Sequence, residues 1–115
     1  MRFQLAPPLA VLLAAGALLL GPAPAASADD VTVGLAVHEH GFEPAEIEAA
    51  AGARIRLEIT NRTPAAIEFE SFELNRERVV QPGQTAAVYV SGLAAGRYEF
   101  FDDFHQERRG VLVAK

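Results

Sequence analysis

The 115-residue chain contains no cysteine, and its single methionine is its first residue. Without cysteine no disulfide can staple the fold, and no lipid can be attached to a processed terminus through a thioether. Positive charge is also in short supply: 10 Lys and Arg stand against 15 Asp and Glu, for a formal net charge of −5. Nucleic-acid binding needs a basic footprint to displace counterions, and docking on anionic lipid needs the same, so both classes are excluded. A partner chosen by electrostatics should be cationic. Catalytic signatures are missing too. The chain has no Gly-x-Ser-x-Gly elbow, glycine-rich phosphate loop, zinc-finger spacing or HExxH helix, and His38-Glu39-His40 is too short for the last. Ser71 and Ser91 have no nucleophile setting, and no two of the 15 carboxylates stand out for glycoside chemistry.

What is present begins with an export signature. Met1-Arg2 supplies a short positive start, Leu9–Leu20 is an apolar run without charge, and Gly21-Pro22-Ala23-Pro24 breaks it. Ala26-Ser27-Ala28 then gives a small-x-small cleavage pattern. The run falls short of the roughly 20 residues a spanning helix needs. An uncleaved anchor is therefore the weaker alternative. No Arg-Arg pair marks export in the folded state. The sequence predicts a cleaved signal peptide over 1–28 and one domain over 29–115, exported to a bacterial periplasm. A small exported domain without disulfides must hold together by packing or with help from a metal.

The remainder alternates with the period of half-buried strands. Val31, Val33, Leu35 and Val37 form one apolar series; Ile55, Leu57 and Ile59 alternate with Arg54, Arg56 and Glu58. Ile67 and Phe69 follow, then Ala86, Val88 and Val90 with Tyr89 facing out, then Tyr98 and Phe100, and finally Val111–Val113. Ala51-Gly52, Asn61 to Pro64, Pro82-Gly83, Ser91-Gly92 and Ala95-Gly96 separate them as turns. The fold class expected is all-β, an antiparallel Greek-key sandwich. Glu46–Ala51 reads as a strand or loop entering the Gly52 turn rather than as a helical turn, and Glu73–Val79 stays open between loop and short helix.

Chemistry-bearing residues gather in three places. His38 and His40 would share one face if the first strand continues through them, with Gly41 ending it. Phe100-Phe101-Asp102-Asp103-Phe104-His105 packs two carboxylates and an imidazole behind aromatic anchors. Glu68, Glu70, Glu73 and Glu77 form a second acidic group around Phe69 and Phe72. Adjacent carboxylates repel, and a bound cation relieves the repulsion. Ordinary salt bridges to Arg76, Arg78, Arg108 and Arg109 would relieve it equally well.

The order of motifs resembles the cupredoxin-like family. Phe42-Glu43-Pro44-Ala45-Glu46-Ile47, Ala51-Gly52 and a strand ending in Asn61 look like the first half of such domains. Pro82-Gly83, Gly96-Arg97-Tyr98-Glu99-Phe100 and Gly110-Val111-Leu112-Val113 look like the second. Blue-copper members carry a cysteine after the Tyr-x-Phe strand and a histidine three positions on. The resemblance puts Asp102 at the first position and His105 at the second, puts Glu68 near an earlier histidine, and leaves the axial methionine without a counterpart. A thiolate and thioether site has given way to carboxylate and imidazole, which suit harder cations, so blue-copper electron transfer is excluded. The closer resemblance is to cupredoxin-like periplasmic proteins of the EfeO type, which accompany bacterial high-affinity iron permeases. It implies copper and/or iron as the bound ion and a membrane iron permease as partner. It also implies help with ferrous-iron oxidation or delivery; the acidic clusters add the hypothesis that copper accepts an electron from ferrous iron held nearby on carboxylates. The ligand set implied is Glu68, Asp102 and His105, completed by His40, with Asp103 and Glu70 as further candidates and Glu73 and Glu77 behind them. Two other functions compete: a periplasmic copper carrier relying on His38, His40 and His105, and a metal-free interaction module.

Overall fold

The computed structural model describes residues 2–5, 14–17, 21 and 30–115. The expected signal peptide over 1–28 and its cleavage after Ala28 fall largely outside the described residues. From Val31 onward the chain forms nine strands: β1 (Val31–His38), β2 (Gly41–Glu43), β3 (Glu46–Ala49), β4 (Arg54–Asn61), β5 (Ile67–Ser71), β6 (Arg76–Val80), β7 (Thr85–Ser91), β8 (Gly96–Asp102) and β9 (His105–Ala114). They make a four-stranded sheet ordered β2-β1-β4-β7 and a five-stranded sheet ordered β3-β9-β8-β5-β6.

The all-β sandwich is the expected class, and both sheets are mixed. β1 runs parallel to β4, from Val31 opposite Ile55 to Val37 opposite Asn61. β3 runs parallel to β9, from Glu46 opposite Val111 to Ala49 opposite Ala114. The cause is a crossover: the chain leaves the first sheet after β2, visits the second as β3, and returns as β4 beside β1. A return through the other layer brings a strand back in the same direction, which no tight hairpin can do.

Glu46–Ala49 is a strand because its pattern has period two, with Ile47 and Ala49 buried between exposed glutamates. The ambiguous stretch after β5 is a turn over Phe72–Asn75, closed by Asn75 N donating to Phe72 O at 3.1 Å, with Asn75 at φ 53°; β6 follows. Between β6 and β7, Gln84 N donates to Gln81 O at 3.0 Å around Pro82-Gly83. That turn places Gly83 at φ 74°, where a β-carbon is strained. The histidine expectation needs correction. β1 stops at His38, and Glu39 and His40 form the turn into β2, so the two imidazoles do not share a strand face.

Ile55, Leu57 and Ile59 of β4 pack fully buried against Ile67 and Phe69 of β5, Phe100 of β8 and Leu112 of β9. Phe42 stands edge-on to Phe100 at 4.9 Å between centroids, and Phe100 lies 5.2 Å from Phe69. Where β4 leaves the core, the buried Asn61 side chain uses all of its hydrogen-bonding capacity. Its Nδ2 donates to Ala65 O and Val80 O, and its Oδ1 accepts from Thr63 N and Thr63 Oγ1. One amide thereby fixes the β4–β5 connection against β6.

Gly110 lets the Phe100 ring lie flat on β9. A β-carbon there would collide with the ring and stand 2.9 Å from Ala45 O. Gly110→Ala should therefore cost about 1–3 kcal/mol, whereas Gly34→Ala, with open space around it, should leave denaturant midpoints nearly unchanged.

Candidate functional site

β5 alternates so that Ile67, Phe69 and Ser71 enter the core, leaving Glu68 and Glu70 on the outer face. Its hairpin with β6 sets Glu70 directly opposite Glu77. Like charges in facing positions repel, and here a third joins them: single carboxylate oxygens of Glu68, Glu70 and Glu77 all lie within 4.8 Å of one another. No arginine neutralises the group. Among the described residues, the ion pairs shorter than 4.0 Å use Asp30, Glu43, Glu46, Glu48, Glu58, Asp102 and Glu107, and none uses these three. Arg76 spends its guanidinium on backbone oxygens, with Nε on Tyr89 O at 2.9 Å and Nη1 on Asn75 O at 2.9 Å. Partial burial, the charges of Glu77 and Glu68, and side-chain hydrogen bonds to both push the Glu70 carboxyl above its ordinary range.

Asp102 sits elsewhere and is committed. At the inner end of β8 it has no exposure. Its Oδ1 accepts from Glu68 N at 3.0 Å and from Phe104 N at 3.0 Å, and its Oδ2 pairs with Arg108 Nη1 at 3.0 Å. His105 lies half-exposed across the turn, with Nδ1 3.4 Å from Glu107 Oε1. Glu107 is held below the usual carboxylate range by a backbone hydrogen bond and by the charges of His105 and Arg108. Asp103 is exposed and accepts from Gln106 Nε2 at 3.2 Å. His40 is exposed in the β1–β2 turn, next to His38, whose Nε2 is 3.3 Å from Glu43 Oε2.

Of the residues expected from sequence, the structure brings Glu68, Glu70 and Glu77 together. Asp102, Asp103, His105 and His40 do not join them. The residue missed was Arg108, read only as a source of surface salt bridges. Its signal was parity: it shares the inward register of Leu112 and Ala114 on β9. The aromatic anchors are real. Phe72 stacks edge-on to Phe101 at 5.4 Å, and the Arg109 guanidinium covers the same ring at 5.2 Å.

The model of the family described as "Cupredoxin-like domain" matches residues 9–114. An uncharacterized protein of Rickettsia prowazekii (strain Madrid E) is 37% identical over 82 residues, which cover 70% of this chain. The chain spans 66% of that relative, just under two thirds of its length. Among solved structures, the metal binding domain of the Streptococcus pneumoniae D39 Cu(I)-exporting P-type ATPase CopA, with Cu(I), is similar at TM-score 0.67 and 16% identity. That match covers 73% of this chain and 84% of the domain. Auracyanin A, a "blue" copper protein from Chloroflexus aurantiacus, is similar at TM-score 0.63 and 14% identity, over 75% of this chain and 99% of its own. At these identities the likeness is one of fold.

The raised Glu70 carboxyl has a measurable consequence. The native state binds this proton more tightly than the unfolded chain, so the contribution of Glu70 to stability falls as pH rises through the interval just above the ordinary glutamate value. Glu70→Gln should thus melt higher than wild type at pH 7, and the gap should close below pH ~4. An equal gap at both pH values would mean that charge is not its cause.

Proposed function

The chain belongs to the cupredoxin-like domain family, and from that premise we propose that it is an exported metal-binding protein. It holds iron as cargo on Glu68, Glu70 and Glu77 for delivery to a membrane iron permease. One observation carries this reading: three carboxylates converge on the outer face of β5 and β6 without a positive partner. Oxygen donors suit hard cations, and a bound cation would offset both the partial burial and the like charges of Glu77 and Glu68 that raise the Glu70 carboxyl. The partly exposed position leaves water and a partner surface free to exchange the ion. The export signature in 1–28 supports a periplasmic location, and the net charge of −5 supports a cationic docking partner.

A copper centre of the kind named for the blue-copper neighbours does not fit. The chain offers no thiolate. The carboxylate at the corresponding position is already held by Glu68 N, Phe104 N and the charge of Arg108. The proposed cargo site therefore leaves out Asp102, Asp103, His105 and His40, and no turnover is assigned to the chain. A second reading, copper carriage, draws on His38 and His40 flanking one turn, with Glu43 beside His38 at 3.3 Å; imidazole suits Cu(II).

Calorimetric titration with Fe(III) citrate, with Fe(II) under anaerobic conditions and with Cu(II) separates the two. Iron should bind tighter than about 1 mM. The binding should be lost in Glu68→Gln/Glu70→Gln/Glu77→Gln, with the melting temperature of that variant equal to or above wild type. Iron binding that survives the triple substitution would overturn the site. Copper binding that survives it but fails in His38→Ala/His40→Ala, with no iron binding in wild type, would establish the second reading.

A further inference from the structure

We infer that the Arg108 guanidinium is the resident cation of this domain, filling against the buried Asp102 carboxylate the place that a metal ion would otherwise take. A carboxylate removed from water is strongly disfavoured unless it is paired and hydrogen-bonded. Asp102 has no exposure, and the Arg108 side chain, 7% exposed, supplies the opposite charge at 3.0 Å. The guanidinium then reaches further, with Nε donating to Glu39 O at 2.9 Å. Together the two side chains tie five points of the chain: the β1–β2 turn at Glu39, β5 at Glu68, the end of β8, the turn at Phe104, and β9. Glu39 belongs to a turn of one sheet and the others to the second sheet, so the pair closes the sandwich across its layers.

A metal in such a position draws ligands from separate segments and couples their folding to its own binding. The planar fork of arginine does the same with directional hydrogen bonds and cannot dissociate. Nothing at this end is left for an ion to satisfy: among the described residues no buried side-chain nitrogen or oxygen lacks a partner. The inference is independent of the cargo site, because Glu68 contributes only its backbone N–H here.

Thermal melts in the Glu68→Gln/Glu70→Gln/Glu77→Gln background test it, since cations on the outer face then play no part. The background protein should melt at the same temperature with EDTA or Mg(II). Arg108→Ala should melt lower by about 10 °C or more and recover part of the loss in low-millimolar guanidinium or Mg(II), which leaves the parent unmoved. If Arg108→Ala does not fold, Arg108→Lys and Asp102→Asn/Arg108→Met decide. Lysine should give a lower melting temperature than arginine, because one ammonium cannot reproduce the fork to both Asp102 and Glu39. The double variant should lose less than the sum of Asp102→Asn and Arg108→Met measured singly. A melting temperature that falls with EDTA, an Arg108→Lys variant as stable as the parent, or additive losses in the double variant would each overturn the assignment.

Discussion

A carboxylate sealed from water at the end of β8 constrains everything around it. Asp102 must be paired, so Arg108 must be buried, and a buried guanidinium needs acceptors of its own, which brings the Glu39 carbonyl against it. The hairpin obeys the same demand. Asp102 faces His105 across a two-residue turn, whereas Phe101 faces Arg109, so the pairing register shifts between Phe101 and Asp102. That irregularity leaves Gln106 to Arg108 outside the regular ladder and lets the arginine side chain turn inward, as bulges next to sites often do. The hydrogen bond from Asp103 N to Glu68 O, at 2.8 Å, then locks the turn to β5.

Much of this architecture was legible because a strand with one dry face writes its orientation into every second residue. Ile55, Leu57 and Ile59 are all fully buried, and Tyr89 points out, as alternation required. The parallel pairs were not legible, since they follow from crossovers between layers and no local pattern encodes them. The histidines misled for a related reason: the strand that would have aligned them ends at His38. In the acidic group, the Glu68 and Glu70 pair follows from period two. Glu77 joins only through the register that the Phe72–Asn75 turn imposes on β5 and β6. The inner pair was encoded more openly than it was read. Asp102 continues the inward series of Tyr98 and Phe100, Arg108 shares the register of Leu112, and opposite charges on one inner face have little choice but to meet.

The family resemblance puts Asp102 at a ligand position, and the structure shows what that carboxylate is bonded to instead. Asp102 does follow Tyr98-Glu99-Phe100, at the end of β8, but its two oxygens already accept from two backbone amides and an arginine. Ligand identity can be carried from a motif only if the site keeps a vacancy. A cation already bonded to the chain removes it.

Two kinds of acid thus coexist on paired strands, one at the end of β8 and the other on the β5–β6 hairpin, and opposite rules govern them. Inside, an unpaired charge would cost several kcal/mol, so neutralisation is complete and permanent. Outside, repulsion among exposed carboxylates is softened by water and salt, so Glu68, Glu70 and Glu77 can stay unneutralised without endangering the fold. An exchangeable cation can be carried only under the second rule. It must leave without taking the structure with it, and a site whose vacancy the fold already tolerates allows that. The division assigns the resident positive charge to Arg108 and leaves the outer face of the hairpin for any ion that comes and goes.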